Sequence, residues 1–128
     1  MEENRLAADV VNIAVRLHTR LGPGLFESVY ETILAHELEK LGHRVQRQVP
    51  IALEYDDLCI ASAFRVDLVV NDLLFIEIKS TEAQRAVHMK QLLTYIRLTD
   101  RRLGVLLNFG LPRMKEGITR VVNGLQPV

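Results

Sequence analysis

Asp67, Glu77 and Lys79 are the residues of this 128-residue chain whose types and spacing could do chemistry. Glu77 and Lys79 stand two apart in Leu74-Phe75-Ile76-Glu77-Ile78-Lys79, a run whose bulky apolar residues predict a strand. Period-two alternation puts Phe75, Glu77 and Lys79 on one face and Leu74, Ile76 and Ile78 on the other. The two charged side chains therefore project side by side, about 6–7 Å apart at Cα by strand rise. A turn at Asn71-Asp72 folds the preceding segment back, so that Asp67 comes close to Glu77 and can share its face. Two carboxylates on adjacent strands make an oxygen-rich site for a hard divalent cation such as magnesium or manganese. A lysine beside such a cation can hold or deprotonate an attacking water, or stabilise charge on a phosphate. The plainer reading is that these charges form the strand's solvated face. Their apolar company weighs against it, because burying opposite charges is costly unless they pair or hold a metal. A buried Glu77–Lys79 ion pair without further function is the remaining alternative.

The elements that position these residues can be read from periodicity. Leu6, Val10, Ile13, Leu17 and Leu21 fall at helical spacing, and Leu21-Gly22-Pro23-Gly24-Leu25 breaks that helix. A second helix is expected from Phe26 to Leu41, with Tyr30, Leu34, Leu38 and Leu41 on its apolar stripe and Gly42 as its stop. From Arg44 the period becomes two. Val45, Val49, Ile51, Leu53 and Tyr55 mark one face of a first strand, with Arg47 the exception. Asp56-Asp57 turns the chain into a second strand, Leu58 to Val70, and Asn71-Asp72 into a third, Leu73 to Lys79, giving an antiparallel meander. A third helix is expected over Glu82 to Leu98, with Ala86, Met89, Leu93 and Ile96 toward the core. Leu103 to Phe109 reads as a strand buried on both faces, and Ile118 to Val122 as a short edge strand. The predicted fold is α/β: a mixed sheet of four to five strands flanked by helices, in the order α-α-β-β-β-α-β-β. Residues 1–128 carry no repeat, low-complexity tract or linker-like stretch, so a single domain is expected.

This pattern resembles the PD-(D/E)xK nuclease superfamily, whose signature is an acid on one strand and an acid-x-lysine on the next. More narrowly, it is similar to the GxxExxY family of that superfamily. The matching residues are Gly24-Leu25-Phe26-Glu27-Ser28-Val29-Tyr30, Asp67, Glu77-Ile78-Lys79, Gln91-Leu92-Leu93-Thr94-Tyr95 and Leu106-Leu107-Asn108-Phe109-Gly110. The acid-x-lysine triplet alone is common by chance; five motifs in order over Asp9 to Val122 are specific. The chain departs from the pattern at Tyr55-Asp56-Asp57, where relatives carry a lysine-glycine turn, and at Arg65-Val66, where the proline ahead of the first acid is absent. The resemblance implies a restriction-endonuclease-like core. It also implies Asp67, Glu77 and the Ile78 carbonyl as ligands of a magnesium or manganese ion, and Lys79 as the catalytic lysine. Glu27 would be the helical acid that approaches the metal directly or through water, and Gln91 the glutamine that positions substrate or water. Glu27 also suits a helix N-terminus electrostatically, and the two readings are compatible.

Apart from the resemblance, Gln84, His88, Gln91 and Tyr95 share one stripe of the third helix, either solvated or facing the site. Tyr30 lies on an apolar stripe and is expected in the core with its hydroxyl partnered. Asn108 and Gly110 are read as turn and backbone chemistry. His18, His36 and His43 show no ligand spacing, and Cys59 is read as a small strand hydrophobe.

Lysine plus arginine equals aspartate plus glutamate, 16 each, which argues against coating nucleic acid by charge alone. One cysteine allows no internal disulfide, and no signal-like or bilayer-length apolar run is present, so a cytoplasmic location is expected. The expected function is metal-dependent phosphodiester hydrolysis on nucleic acid, DNA first, with a homodimer as one way to engage two strands. The alternative is a non-catalytic module that keeps the fold and binds nucleic acid or a protein.

Overall fold

The computed structural model describes residues 2–124. Helix α1 (Glu2–Leu21) buries Leu6, Val10, Ile13, Ala14 and Leu17 along one stripe, and helix α2 (Glu27–Lys40) buries Tyr30, Leu34, Ala35 and Leu38. Gly22 and Gly24 take φ of 75° and 100° in the loop between them, a region that side chains other than glycine's avoid. Gly42 ends α2 at φ 91°, with its N–H to the Glu39 carbonyl and the His43 N–H to that of Leu38, as expected of a glycine stop.

Five strands follow: β1 (Val45–Tyr55), β2 (Leu58–Val70), β3 (Leu74–Lys79), β4 (Leu103–Asn108) and β5 (Ile118–Val122). They lie in sequence order in one sheet, antiparallel except for the β3–β4 pair, which is parallel. Helix α3 (Ala86–Leu98) makes the crossover between those two. The architecture is the α/β mixed sheet flanked by helices that the sequence predicts. One core fills the space between the sheet and α1 and α2, with Leu68, Val70, Leu74, Ile76 and Ile78 facing it. A smaller core lies on the α3 side, around Val66, Val69, Phe75, Leu92, Ile96 and Leu106.

The β2–β3 turn fixes the register that matters. Asn71 and Asp72 both adopt positive φ (52° and 57°), and the Leu73 N–H closes on the Val70 carbonyl at 3.0 Å. Asparagine and aspartate tolerate this conformation best after glycine. Arg101 grips Asp72 at 2.8 Å from outside.

Two local expectations are corrected. α3 begins at Ala86 rather than Glu82, because Asn108 engages the segment ahead of it. Its Oδ1 accepts from the Thr81 N–H at 3.0 Å, and its Nδ2 donates to Thr81 Oγ1 and Gln84 Oε1 at 3.1 and 2.9 Å. The buried face of α3 is also shifted. Leu92 and Ile96 are fully buried, whereas Met89 and Ala86 are exposed and Leu93 is half-buried. Gly104 explains this: Leu92 fills the space above it, and a Cβ there would lie 2.9 Å from Leu92 Cγ.

The single apolar face expected for β1 is corrected as well. Val45 packs toward α1 and α2, whereas Val49 and Ile51 pack on the α3 side. Gln48, at φ 51°, reverses the alternation between them, and β2 does the same across from it, where Val66 leaves the face of Leu68. Arg47 is thus no exception on an apolar face; it points at α2 and binds Glu31.

Candidate metal centre

The β2–β3 ladder pairs Val70 with Leu74, Val69 with Phe75 and Leu68 with Ile76, then stops. β3 continues to Lys79 paired only with β4. At this fork the carboxylates of Asp67 and Glu77 replace the missing ladder. The Ile78 N–H donates to Asp67 Oδ2 at 2.8 Å, and the Asp67 N–H donates to Glu77 Oε1 at 3.2 Å. Each acid therefore satisfies a backbone donor of the opposite strand, which fixes both carboxylates side by side. Glu77 is buried (7% exposed) and Asp67 half-buried.

Electrostatics at the pair is unfavourable without a cation. Burial, and then the facing Asp67 carboxylate, push the Glu77 carboxyl up to about 8; Lys79 offsets this only in part. Lys79 is half-buried and, among the described residues, forms no ion pair. The alternative reading, a structural Glu77–Lys79 ion pair, is thus not what holds Glu77. Two hard oxygen donors held together, short of positive charge, suit a divalent cation. Among the described residues no three His, Cys, Asp or Glu side chains group as a metal cage, so further ligands here would be backbone carbonyls, such as that of Ile78, water or substrate.

Glu27 starts α2 and faces the end of β3, where its Oε2 accepts the Ser80 N–H at 3.1 Å. It is exposed and stands apart from the Asp67–Glu77 pair. Of the polar stripe expected on α3, His88 and Tyr95 sense the site. Burial, then Lys79 and Arg85, lower the His88 pKa; burial, then Glu77 and Asp67, raise that of Tyr95. Tyr95 is held by a ring stack on Phe64, with centroids 4.0 Å apart. Gln91 lies on the turn of α3 between them and is exposed. Gln84 falls outside the helix and serves the Asn108 network instead, donating also to the Glu116 carbonyl at 3.2 Å.

Sequence reasoning missed the supports behind Asp67. Gln48 stands opposite it, and its Nε2 reaches both Asp67 Oδ1, at 3.1 Å, and the buried Glu31 carboxylate. Arg47 Nε binds the other oxygen of Glu31 at 2.9 Å. Glu31 sits one turn beyond Glu27 on the face of α2 that meets the sheet, a spacing visible in the sequence. Tyr30 behaves as expected: fully buried, stacked on Phe109, its hydroxyl donating to the Gly22 carbonyl at 2.6 Å. Asn108 and Gly110 are structural, also as expected. His18 bonds the Leu111 carbonyl and His43 bridges Asp9 and Asn71, so both tie elements together.

A sequence profile of the PD-(D/E)XK nuclease superfamily matches residues 4–121. No curated protein matches the chain significantly. Among solved structures, the one titled "Crystal structure of SSO0001" superposes with a TM-score of 0.57 at 16% identity. The alignment covers 93% of this chain and 66% of that one, just under two thirds of its length. At that identity the likeness speaks for the fold. No helix among the described residues is long and apolar enough to cross a membrane. Nucleases of the superfamily generally use divalent metals. With the profile spanning nearly the whole sequence and the fold agreeing, the chain belongs to the PD-(D/E)XK nuclease superfamily.

Proposed function

We propose that the protein is a metal-dependent nuclease of the GxxExxY kind that hydrolyses phosphodiester bonds in DNA, the whole chain acting as one domain. The observation that carries this is the reciprocal clasp of Asp67 and Glu77 at the open edge of β3, with Lys79 two residues on. Asp67, Glu77 and the Ile78 carbonyl would hold magnesium or manganese, with Glu27 reaching the ion through water. A cation bound there supplies Lewis acidity toward the phosphate and a more acidic water. Lys79 holds the attacking water and offsets charge on the phosphate, and Gln91 on α3 positions substrate or water. A lone exposed cysteine fits a reducing compartment, so we place the protein in the cytoplasm, and pairing into a dimer would let it engage both strands of a duplex.

The test is cleavage of single- and double-stranded DNA and RNA with manganese at low salt, comparing wild type with Lys79→Met. Chelator-sensitive cleavage by wild type is expected, with a loss of orders of magnitude in Lys79→Met while metal binding persists. The zero net charge weighs against a charge-driven nuclease and leaves a second reading, a non-catalytic module that keeps the fold and binds nucleic acid or a protein through specific contacts. Wild type that binds nucleic acid independently of metal and cuts none of these substrates would establish it.

A further inference from the structure

Phe26 immediately precedes Glu27 and is the most exposed large apolar side chain among the described residues, at 83%. Its exposure is built rather than incidental, because the loop presenting it is pinned on several sides. The Tyr30 hydroxyl donates to the Gly22 carbonyl and accepts the Leu25 N–H, at 2.6 and 3.2 Å. Ser80 Oγ donates to the Leu25 carbonyl at 2.8 Å, and the Val29 N–H closes on the Phe26 carbonyl at 3.0 Å. Two of these anchors come from the buried Tyr30 and one from the residue after Lys79, so the backbone that carries the ring is held at a fixed place by the end of β3.

That ring lines a cavity of about 590 Å³ shared with Glu27, Ser80, Thr81 and Gly110. The volume suits a nucleotide-sized group. Among the described residues its only charged lining residues are Glu27 and Glu82, so it repels a phosphate but accepts hydrogen bonds from the exocyclic amines of a neutral base. Pro23 also borders a second hollow, lined by Arg113 and Lys115, neither of which forms an ion pair among the described residues. An aromatic face with acceptors on one side of Pro23, and cations on the other, separate base from backbone.

We infer that Phe26 is a stacking platform for an unpaired base, with flanking phosphates at Arg113 and Lys115, so that the substrate is single-stranded or frayed DNA rather than intact duplex. This rests on the nuclease reading for the choice of nucleic acid. A base in intact duplex would have to leave its stack to reach the ring, whereas an unpaired base does not incur that cost.

The test is fluorescence anisotropy with single-stranded, forked and blunt-ended oligonucleotides of one sequence, with chelator present so that cleavage does not enter. Wild type should prefer the single strand and the fork. Phe26→Ala should weaken single-strand binding by roughly ten-fold, by more than it weakens blunt-duplex binding, and Phe26→Trp should restore it. Tyr55→Ala, which removes the exposed aromatic of the β1–β2 hairpin tip, should leave the preference intact. Preference for blunt duplex, or single-strand binding equally tight in Phe26→Ala, would overturn the inference. Self-association that Phe26→Ala abolishes, with DNA affinity unchanged, would assign the ring to a protein contact and overturn it too. Absence of cleavage with metal, alongside Phe26-dependent binding, would instead remove the nuclease reading and leave this one standing.

Discussion

Glu77→Gln is the substitution whose effect can be worked furthest from the structure. The Glu77 carboxyl is raised from 4.5 to about 8 by burial and by Asp67. The folded protein therefore keeps a proton that the unfolded chain releases between those two values. In that window the folded state binds more protons, so stability falls as pH rises. Below about pH 4.5 both states are protonated and nothing is lost; above about pH 8 the full penalty is present. At about 1.36 kcal/mol per pH unit, the window from 4.5 to about 8 sets a ceiling of about 5 kcal/mol. Glutamine keeps an oxygen to accept the Asp67 N–H and carries no charge at any of these pH values. In urea unfolding with chelator, Glu77→Gln should match wild type near pH 4.5 and become progressively more stable by pH 8.5, by up to that ceiling. Manganese should narrow that gap, because ion at a hundredfold excess over its Kd adds about 2.7 kcal/mol to wild type and nothing to the mutant. Parallel pH profiles for the two proteins in chelator would refute the argument that Glu77 is buried against a second carboxylate.

Gly110→Ala should cost about 3 kcal/mol or more in denaturant unfolding, since its Cβ would lie 2.3 Å from the Thr81 carbonyl oxygen, a backbone atom with little room to yield. Gly104→Ala should cost about 1–3 kcal/mol, less because the opposing atoms belong to the Leu92 side chain, which can shift. Gln48→Ala, which removes the bridge from Glu31 to Asp67, should weaken manganese binding by roughly 10- to 100-fold in titration calorimetry while leaving both proposed ligand acids in place.

What the sequence makes legible follows the range of the forces involved. β2 and β5 lie at the expected residues because alternation and turn chemistry are local; Asn71-Asp72 announces its own turn, and with it the approach of Asp67 to Glu77. The start of α3 is hidden because the residue that holds Thr81 and Gln84 out of the helix, Asn108, is 24 residues or more away. The buried face of α3 is set by Gly104, whose missing side chain gives Leu92 its place; a glycine inside an apolar strand is a signal, though the knob it receives lies elsewhere in the chain. The reversal at Gln48 has no comparable signal, since glutamine has no preference for positive φ.

That reversal is what makes the site a fork rather than a flat sheet edge. Had β2 kept its alternation, Val66 would have stayed on the α1–α2 side with Leu68 and Val70. Instead both strands of the hairpin turn over at the Gln48–Asp67 position, and the β2–β3 ladder ends one residue later, at Leu68. The backbone N–H groups of Asp67 and Ile78 then lack strand partners, and the two carboxylates take their place. The same two hydrogen bonds that repair the broken ladder thus hold Asp67 and Glu77 against their mutual repulsion. A buried donor left unmade costs about 1–3 kcal/mol, so Asp67→Ala should destabilise the metal-free protein even as it relieves the charge on Glu77. Asp67→Asn keeps an acceptor for the Ile78 N–H and removes the charge. Its metal-free stability at pH 8 should exceed that of Asp67→Ala by about 1–3 kcal/mol, with metal-induced stabilisation weakened in both. Equal stability of the two variants would show that the Asp67 carboxylate is not part of the fork's backbone repair.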